Sequence, residues 1–148
     1  MFSSLKAGDP VALFGPWGDF VLRADSPRSV LFLACDTGFA PVKSLIEHAM
    51  ALDASERLCL YWLATRRTGH YLANLCRSWA DAVDNFGYVP LSAGRADAAE
   101  LVRRVAAEQA DLAAFDIYLA GDAPFVESGA KALRARGFPE AQLALAAI

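Results

Sequence analysis

The chain has 148 residues, 55% of them hydrophobic and 21% charged, with a formal net charge of −3. That length suits one domain with a sizeable core, and that composition excludes intrinsic disorder. The mildly acidic balance gives no electrostatic argument for nucleic acid or an anionic membrane surface, and no apolar run reaches the roughly 20 residues that span a bilayer.

The N-terminal residues Met1 to Lys6 lack the charged and apolar regions of a signal peptide, so a cytoplasmic chain is expected. The next segment differs in character from the rest of the chain. Val11 to Phe14 and Phe20 to Leu22 read as short strands around the turn Gly15-Pro16-Trp17-Gly18. Asp25 to Arg28 reads as a polar linker.

A regular alternation begins at Val30. Val30 to Ala34 is an apolar strand, and Pro41 to Leu52 reads as a helix with Val42, Leu45, Ile46 and Ala49 at helical spacing. Leu58 to Leu63 is the second strand of this series, and Tyr71, Leu72, Leu75 and Trp79 mark a second helix. Phe86 to Leu91 is a third strand, followed by a helix over about Asp97 to Asp111. Phe115 to Ala120 is a fourth strand, Phe125 to Arg136 a fourth helix stopped by Gly137, and Gln142 to Ala146 a fifth strand. Strands alternating with helices imply right-handed crossovers, and continuously apolar strands imply a sheet covered on both faces. The expected fold is therefore α/β: a three-layer, open, parallel five-stranded sheet of Rossmann-like type.

Ligands of such sheets bind beyond the carboxyl ends of the strands, where strand order reverses. Three loops lie there. Cys35-Asp36-Thr37-Gly38-Phe39-Ala40-Pro41 joins the first strand of the alternation to its helix. Gly38 permits close approach of the backbone, Pro41 suits a first helical turn, and the amides of that turn favour an anion such as a pyrophosphate. The same residues also fit an ordinary turn capped by Asp36 or Thr37. Ala120-Gly121-Asp122-Ala123-Pro124 is a second such loop, or a plain turn. Thr65-Arg66-Arg67 is the third, with paired guanidiniums that suit a phosphate or a base, or simply a solvated surface. No G-x-G-x-x-G fingerprint, P-loop or catalytic triad is present. Asp84, Asp97 and Glu100 read as solvated residues of loops or helix faces. Cys35, Cys59 and Cys76 are too few and too far apart for a zinc or iron–sulfur motif, and Cys59 and Cys76 are expected to be inert core thiols. His48 and His70 have no evident ligand partner, so no metal site is expected.

The run Val30 to Glu47, with Thr37-Gly38-Phe39-Ala40-Pro41-Val42-Lys43-Ser44 at its centre, resembles the start of the nucleotide domain of the ferredoxin–NADP reductase superfamily. It is most similar to bacterial oxygenase reductases and CDP-deoxyglucoseen reductases. Leu60-Tyr61-Trp62, Arg66-Arg67 and Tyr71-Leu72 are similar to their second strand and helix, and Asp116 to Gly121 to their Cys-Gly-Pro-Pro strand end. Gly8-Asp9 and Gly15 to Phe20 resemble the last hairpin of their flavin domain. The resemblance implies that residues 1–24 are a remnant of a flavin-binding barrel, 25–28 a linker and 29–148 an NAD(P)-binding domain. It implies that Thr37 to Pro41 hold the pyrophosphate and nicotinamide side of NAD(P)H, that Gly121 to Pro124 flank the nicotinamide, and that Arg66 and Arg67 lie near the adenosine. NADH is weakly favoured over NADPH. The implied function is a module that delivers hydride to an FAD held on a separate flavin-bearing domain or subunit, with an iron–sulfur protein as a further partner and without complete catalysis by this chain alone.

The sequence also departs from that pattern. Cys35 and Asp36 stand where small residues are usual, Ala120 replaces a cysteine, and Asp122 replaces a proline. Thr65 stands for an arginine and Gly69 for an aspartate, the Ser92 to Ala96 stretch is short, the last residue is not aromatic, and no Arg-x-Tyr-Ser/Thr flavin motif occurs. Asp36, Ala120 and Asp122, each an unsuitable group at a binding loop, motivate a second reading, a scaffold subunit of the same fold that has lost nucleotide binding. A stand-alone nucleotide-binding regulator is a third. Apolar surface around Trp17 and Phe20 would favour a homodimer or docking on a partner, unless the rings fold back over the sheet.

Overall fold

A computed structural model describes residues 18–148. Five strands form one sheet: β1 (Ser29–Cys35), β2 (Leu58–Ala64), β3 (Phe86–Ser92), β4 (Phe115–Gly121) and β5 (Leu143–Ala147). All neighbours are parallel, in the order β3-β2-β1-β4-β5. Four helices connect them: α1 (Phe39–Leu52), α2 (Ala73–Ala82), α3 (Ala98–Glu108) and α4 (Ala123–Ala135).

The period of two along each strand sorts the core into two layers. Leu31, Leu33 and Cys35 of β1 join Tyr61 and Leu63 of β2 against α3 and α4, through Leu101, Val105, Phe125 and Leu133. Val30, Phe32 and Ala34 join Leu60, Trp62 and Tyr118 against α1 and Cys76 of α2. All seven residues of β2 and of β4 are buried, which is why these strands read as unbroken apolar runs. The chain winds outward from β1 to β3 and then returns through α3 to begin β4 on the other side of β1. Strand order therefore reverses between β1 and β4, and at their carboxyl ends the turn into α1 and the turn into α4 diverge to opposite faces of the sheet and leave a crevice.

Several boundaries differ from the sequence expectation. Helix α1 starts at Phe39, two residues before Pro41, because a 3-10 turn over Asp36–Gly38 already bends the chain into the helix. Tyr71 and Leu72 precede α2 rather than open it. Helix α3 ends at Glu108, and Asp111 caps a short 3-10 turn by accepting from the Ala113 amide. Asp97 is the N-cap of α3, its Oδ1 accepting from the Glu100 amide at 2.9 Å, so it is more than a solvated loop residue. Gly137 stops α4 with φ +75°, where the amides of Gly137 and Phe138 close back on the carbonyls of Arg134 and Leu133. Strand β5 starts after Gln142, whose buried amide donates to the carbonyls of Ala113 and Phe115.

The expected strand Val11 to Phe14 lies outside the described residues, as does Trp17. Phe20 to Leu22 is irregular rather than a strand. Its apolar side chains cover the sheet instead: Phe20 sits edge-on to Tyr118 with ring centroids 5.6 Å apart, and Phe20 and Leu22 pack on the α1 layer. Phe20 is thus not part of an open apolar patch. The adjoining segment is fastened at the amino end of β4. The Arg23 amide donates to the Tyr118 hydroxyl at 2.7 Å, and the guanidiniums of Arg23 and Arg28 lie 3.9 and 3.8 Å from the carboxylate of Asp116, itself only 1% exposed. No helix among the described residues is long and apolar enough to cross a membrane.

Candidate functional site

The β1–α1 and β4–α4 turns meet at the reversal point. A Cβ on Gly38 would overlap the Ala120 carbonyl and come within 2.7 Å of the Gly121 nitrogen. The φ of Gly38 is an ordinary −58°, so this glycine serves contact between the two turns rather than an unusual backbone. The left-handed residue is its neighbour Asp36, with φ +46°. Gly121 is equally confined, a Cβ there meeting the Phe125 ring at 2.7 Å and Cys35 at 3.2 Å. Gly38 and Gly121 therefore form the packed floor of the site.

A cleft of about 240 Å³ opens above that floor, lined by Cys35, Asp36, Thr37, Arg66 and Asp122 together with Thr68, Gly69, Tyr71 and Ile148. A second cleft of about 360 Å³ lies beyond the ends of β2 and β3, lined by Thr65, Arg66 and Arg67 and by Ser92 to Gly94. Arg66 borders both. The structure thus brings five of the expected site residues into one cleft and places Thr65 and Arg67 in the adjoining one. Phe39, Ala40, Pro41, Ala120, Ala123 and Pro124 line neither. Phe39 is fully buried and stacks on Trp62 with centroids 3.9 Å apart, so its side chain is core. Thr68, Gly69, Tyr71 and Ile148 are not among the expected site residues, since only the return of the β2–α2 loop toward β1 puts the first three there.

Asp36 explains how a carboxylate fits this position. Its oxygens accept from the Thr65 amide at 2.8 Å and from the Thr65 hydroxyl at 2.5 Å. Its carbonyl accepts from the Trp62 indole at 3.0 Å, and the Trp62 carbonyl in turn lies 2.8 Å from Nε2 of His70. A carbonyl only accepts, so that nitrogen carries the proton. Gly69 fits tightly beneath, where a Cβ would come within 3.0 Å of Asp36 Oδ1. The β1 and β2 turns are thereby locked together, with Phe39, His70 and Tyr71 packed around the Trp62 ring. Thr65 is occupied by this lock.

Asp122 has an equally defined place. It is the N-cap of α4, its Oδ1 accepting from the Phe125 amide at 2.9 Å. By contrast, no side chain caps the 3-10 turn at Asp36–Gly38 or the start of α1. The Asp36 carboxylate belongs to that turn but is bonded to Thr65, so no side chain occupies the amides leading into α1, which suits a ligand phosphate. Burial, then the charges of Asp36 and Asp122, push the Cys35 thiol up to about 12, so Cys35 is a neutral thiol and no nucleophile at ordinary pH. Cys59 and Cys76 are free and buried, and burial raises both, Cys76 to about 11.

A reversed parallel sheet with paired glycine turns and an uncapped helix start defines a dinucleotide-binding type of domain. Residues 32–131 match the family described as oxidoreductase NAD-binding domain, and the chain belongs to that family. Curated relatives include a CDP-6-deoxy-L-threo-D-glycero-4-hexulose-3-dehydrase reductase from Yersinia pestis, 32% identical over 82% of this chain and 38% of its own length. An NAD(P)H-flavin reductase from Aliivibrio fischeri is 31% identical over 82% of this chain and 53% of its own length. A ferredoxin NADP+ reductase structure from Neisseria gonorrhoeae, with bound FAD and NADP, superposes with a TM-score of 0.74 at 16% identity, covering 88% of this chain and 61% of that one. The fold is that of the nucleotide domain of ferredoxin reductases. The chain spans about two fifths to one half of these curated relatives' lengths.

Proposed function

We propose that the cleft between the ends of β1 and β4 holds the nicotinamide side of NAD(P)H, with the adenosine side over the ends of β2 and β3. In this reading Thr37 and the amides leading into α1 take the pyrophosphate, Gly38 and Gly121 form the floor, and Arg66 and Arg67 lie along the adenosine cleft. The bound nucleotide supplies a hydride, and the acceptor we infer is a flavin on a separate domain or chain, followed by an iron–sulfur or oxygenase partner. The contribution of this chain is to orient the ring, to keep the Cys35 thiol protonated beside it and to hold the two turns rigid. Residues 29–148 constitute the nucleotide domain, and 25–28 act as the linker to the segment before it. Arg23 and Arg28 rest on Tyr118 and Asp116 of β4, so this stretch is held against the nucleotide domain.

The observation that carries this reading is the contact of the β1 and β4 turns beside an uncapped helix start. Two of the three residues that motivated a scaffold without nucleotide binding, Asp36 and Asp122, have their carboxylates held by Thr65 and by the Phe125 amide, and the third, Ala120, is buried in β4. Calorimetric titration with NADH and NADPH tests it and decides between the two nucleotides. Saturable micromolar binding of either is expected. No heat at millimolar nucleotide sinks the reading and restores the scaffold.

A further inference from the structure

Two side-chain carboxylates and one guanidinium line the β1/β4 cleft beside the terminal residue Ile148, and they are unevenly distributed. Asp36 stands at the end of β1 and Asp122 at the end of β4, the strands between which the order reverses. Arg66 stands after β2, on the side shared with the second cleft. The carboxylates are held in place by neutral donors, the Thr65 amide and hydroxyl and the Phe125 amide, which fix their position without cancelling their charge. The charge of Asp122 thus flanks the end of β4, that of Asp36 lies between the ends of β1 and β2 beside Thr65, and the guanidinium of Arg66 lies toward the adenosine end.

NAD+ and NADH carry the same phosphates, riboses and adenine. They differ at one ring, cationic when oxidised and neutral when reduced. Fixed negative charge beside that ring attracts one form and leaves the other nearly unaffected, whereas its effect on the shared pyrophosphate cancels in the comparison. We propose that Asp36 and Asp122 make this cleft discriminate between the redox states of nicotinamide, holding the oxidised ring more tightly than the reduced one. The inference rests on the placement of nicotinamide proposed above. The Cys35 thiol, 5% exposed on the wall of the cleft, is raised first by burial and then by the charges of both carboxylates. By linkage, a site that prefers the oxidised form makes the bound reduced nucleotide a stronger hydride donor than the free one by the same factor.

The test is a calorimetric titration of the chain and of Asp122→Asn with NAD+, NADH and ADP-ribose, at low salt and at about 0.5 M salt. Asparagine keeps an acceptor for the Phe125 amide and removes the charge, and an unchanged thermal midpoint verifies the cap. NAD+ is expected to bind more tightly than NADH, and the ratio of the two dissociation constants to fall roughly five-fold in Asp122→Asn. Added salt should shrink the ratio in the parent chain more than in the variant. ADP-ribose, which lacks the ring, should follow NADH across the two proteins. Asp36→Asn, where it folds, should shift the ratio in the same direction. Tight binding of both nucleotides with a ratio that neither Asp122→Asn nor salt alters overturns this inference and leaves the site intact. Silence toward all three ligands overturns the site and the inference with it.

Discussion

Asp36 holds a left-handed backbone at φ +46°, a region that residues with a Cβ enter only at a cost and that aspartate tolerates better than most. Its two hydrogen bonds to Thr65 offset that cost. Asp36→Ala keeps the strain and loses both bonds, so it should destabilise the fold by about 2 kcal/mol in urea unfolding. Asp36→Gly relieves the backbone and should be milder; an alanine variant as stable as the glycine variant refutes the strain argument. Gly38→Ala acts differently, by pushing a Cβ into the Ala120 carbonyl, which belongs to rigid backbone. A loss of about 3 kcal/mol is expected, with nucleotide heat abolished even where the variant still folds. Single residues are partly legible in the sequence. Gly38 is recognisable as a required glycine, but for approach to a ligand, when what approaches it is the backbone of β4. That Asp36 turns to Thr65, 29 positions away, is a tertiary fact with no local signature.

Among the elements, the capping pattern separates structure from site. Helices α3 and α4 have aspartate caps, and α1 has none. Asp122→Ala should therefore cost about 1 kcal/mol of stability, and Asp122→Asn close to nothing. The stretch leading into β1 depends on a different contact. Asp116 is buried, neither of its carboxylate oxygens has a hydrogen-bond partner, and Arg23 and Arg28 stand near it at more than hydrogen-bond length while partly in solvent. That exposure reduces what a fully buried pair is worth, so Asp116→Ala should lower stability by about 1–2 kcal/mol. It should also speed tryptic cleavage after Arg23 and Arg28, and a cleavage rate equal to that of the parent chain counts against the anchoring role. The elements themselves are largely readable, because buried parallel strands give apolar runs and the helices between them keep their spacing. Legibility ends where side chains serve two roles. Phe20 and Leu22 alternate as a strand would, yet they are used to cover Tyr118 and its layer. Tyr71 and Leu72 have helical spacing with α2, yet they lie in the turn before it, with Tyr71 against the Trp62 ring.

For the molecule as a whole, the alternation of strands and helices predicts a parallel sheet, and a parallel sheet puts the β1 and β4 turns on one rim. The observed order β3-β2-β1-β4-β5 places them there. What the alternation does not reveal is how completely the sheet buries its ionisable groups, and this has a consequence at alkaline pH. Burial raises the Cys35 thiol from 9.0 to about 12 and Cys76 from 9.0 to about 11, and it raises Cys59 as well. An acid raised in the folded state ionises first in the unfolded chain. Its stabilising contribution is complete below pH 9.0 and is lost as pH rises toward the folded values near 11 and 12. Cys35 and Cys76 then each remove about 1.4 kcal/mol per pH unit, so the two together remove about 3 kcal/mol per unit once both are ionised in the unfolded chain, and Cys59 adds in the same direction. Tyr61 and Tyr88, both raised by burial from 10.0 to about 12, steepen the decline further. A domain of ordinary stability should therefore unfold by about pH 11. Urea midpoints should be level up to about pH 8.5 and fall sharply beyond about pH 9.5, and Cys35→Ala should remove roughly half of the slope that Cys35 and Cys76 supply together. Midpoints that stay level through about pH 10.5 mean that these thiols ionise as readily in the folded protein as in the unfolded one, and that the sheet does not seal them from water.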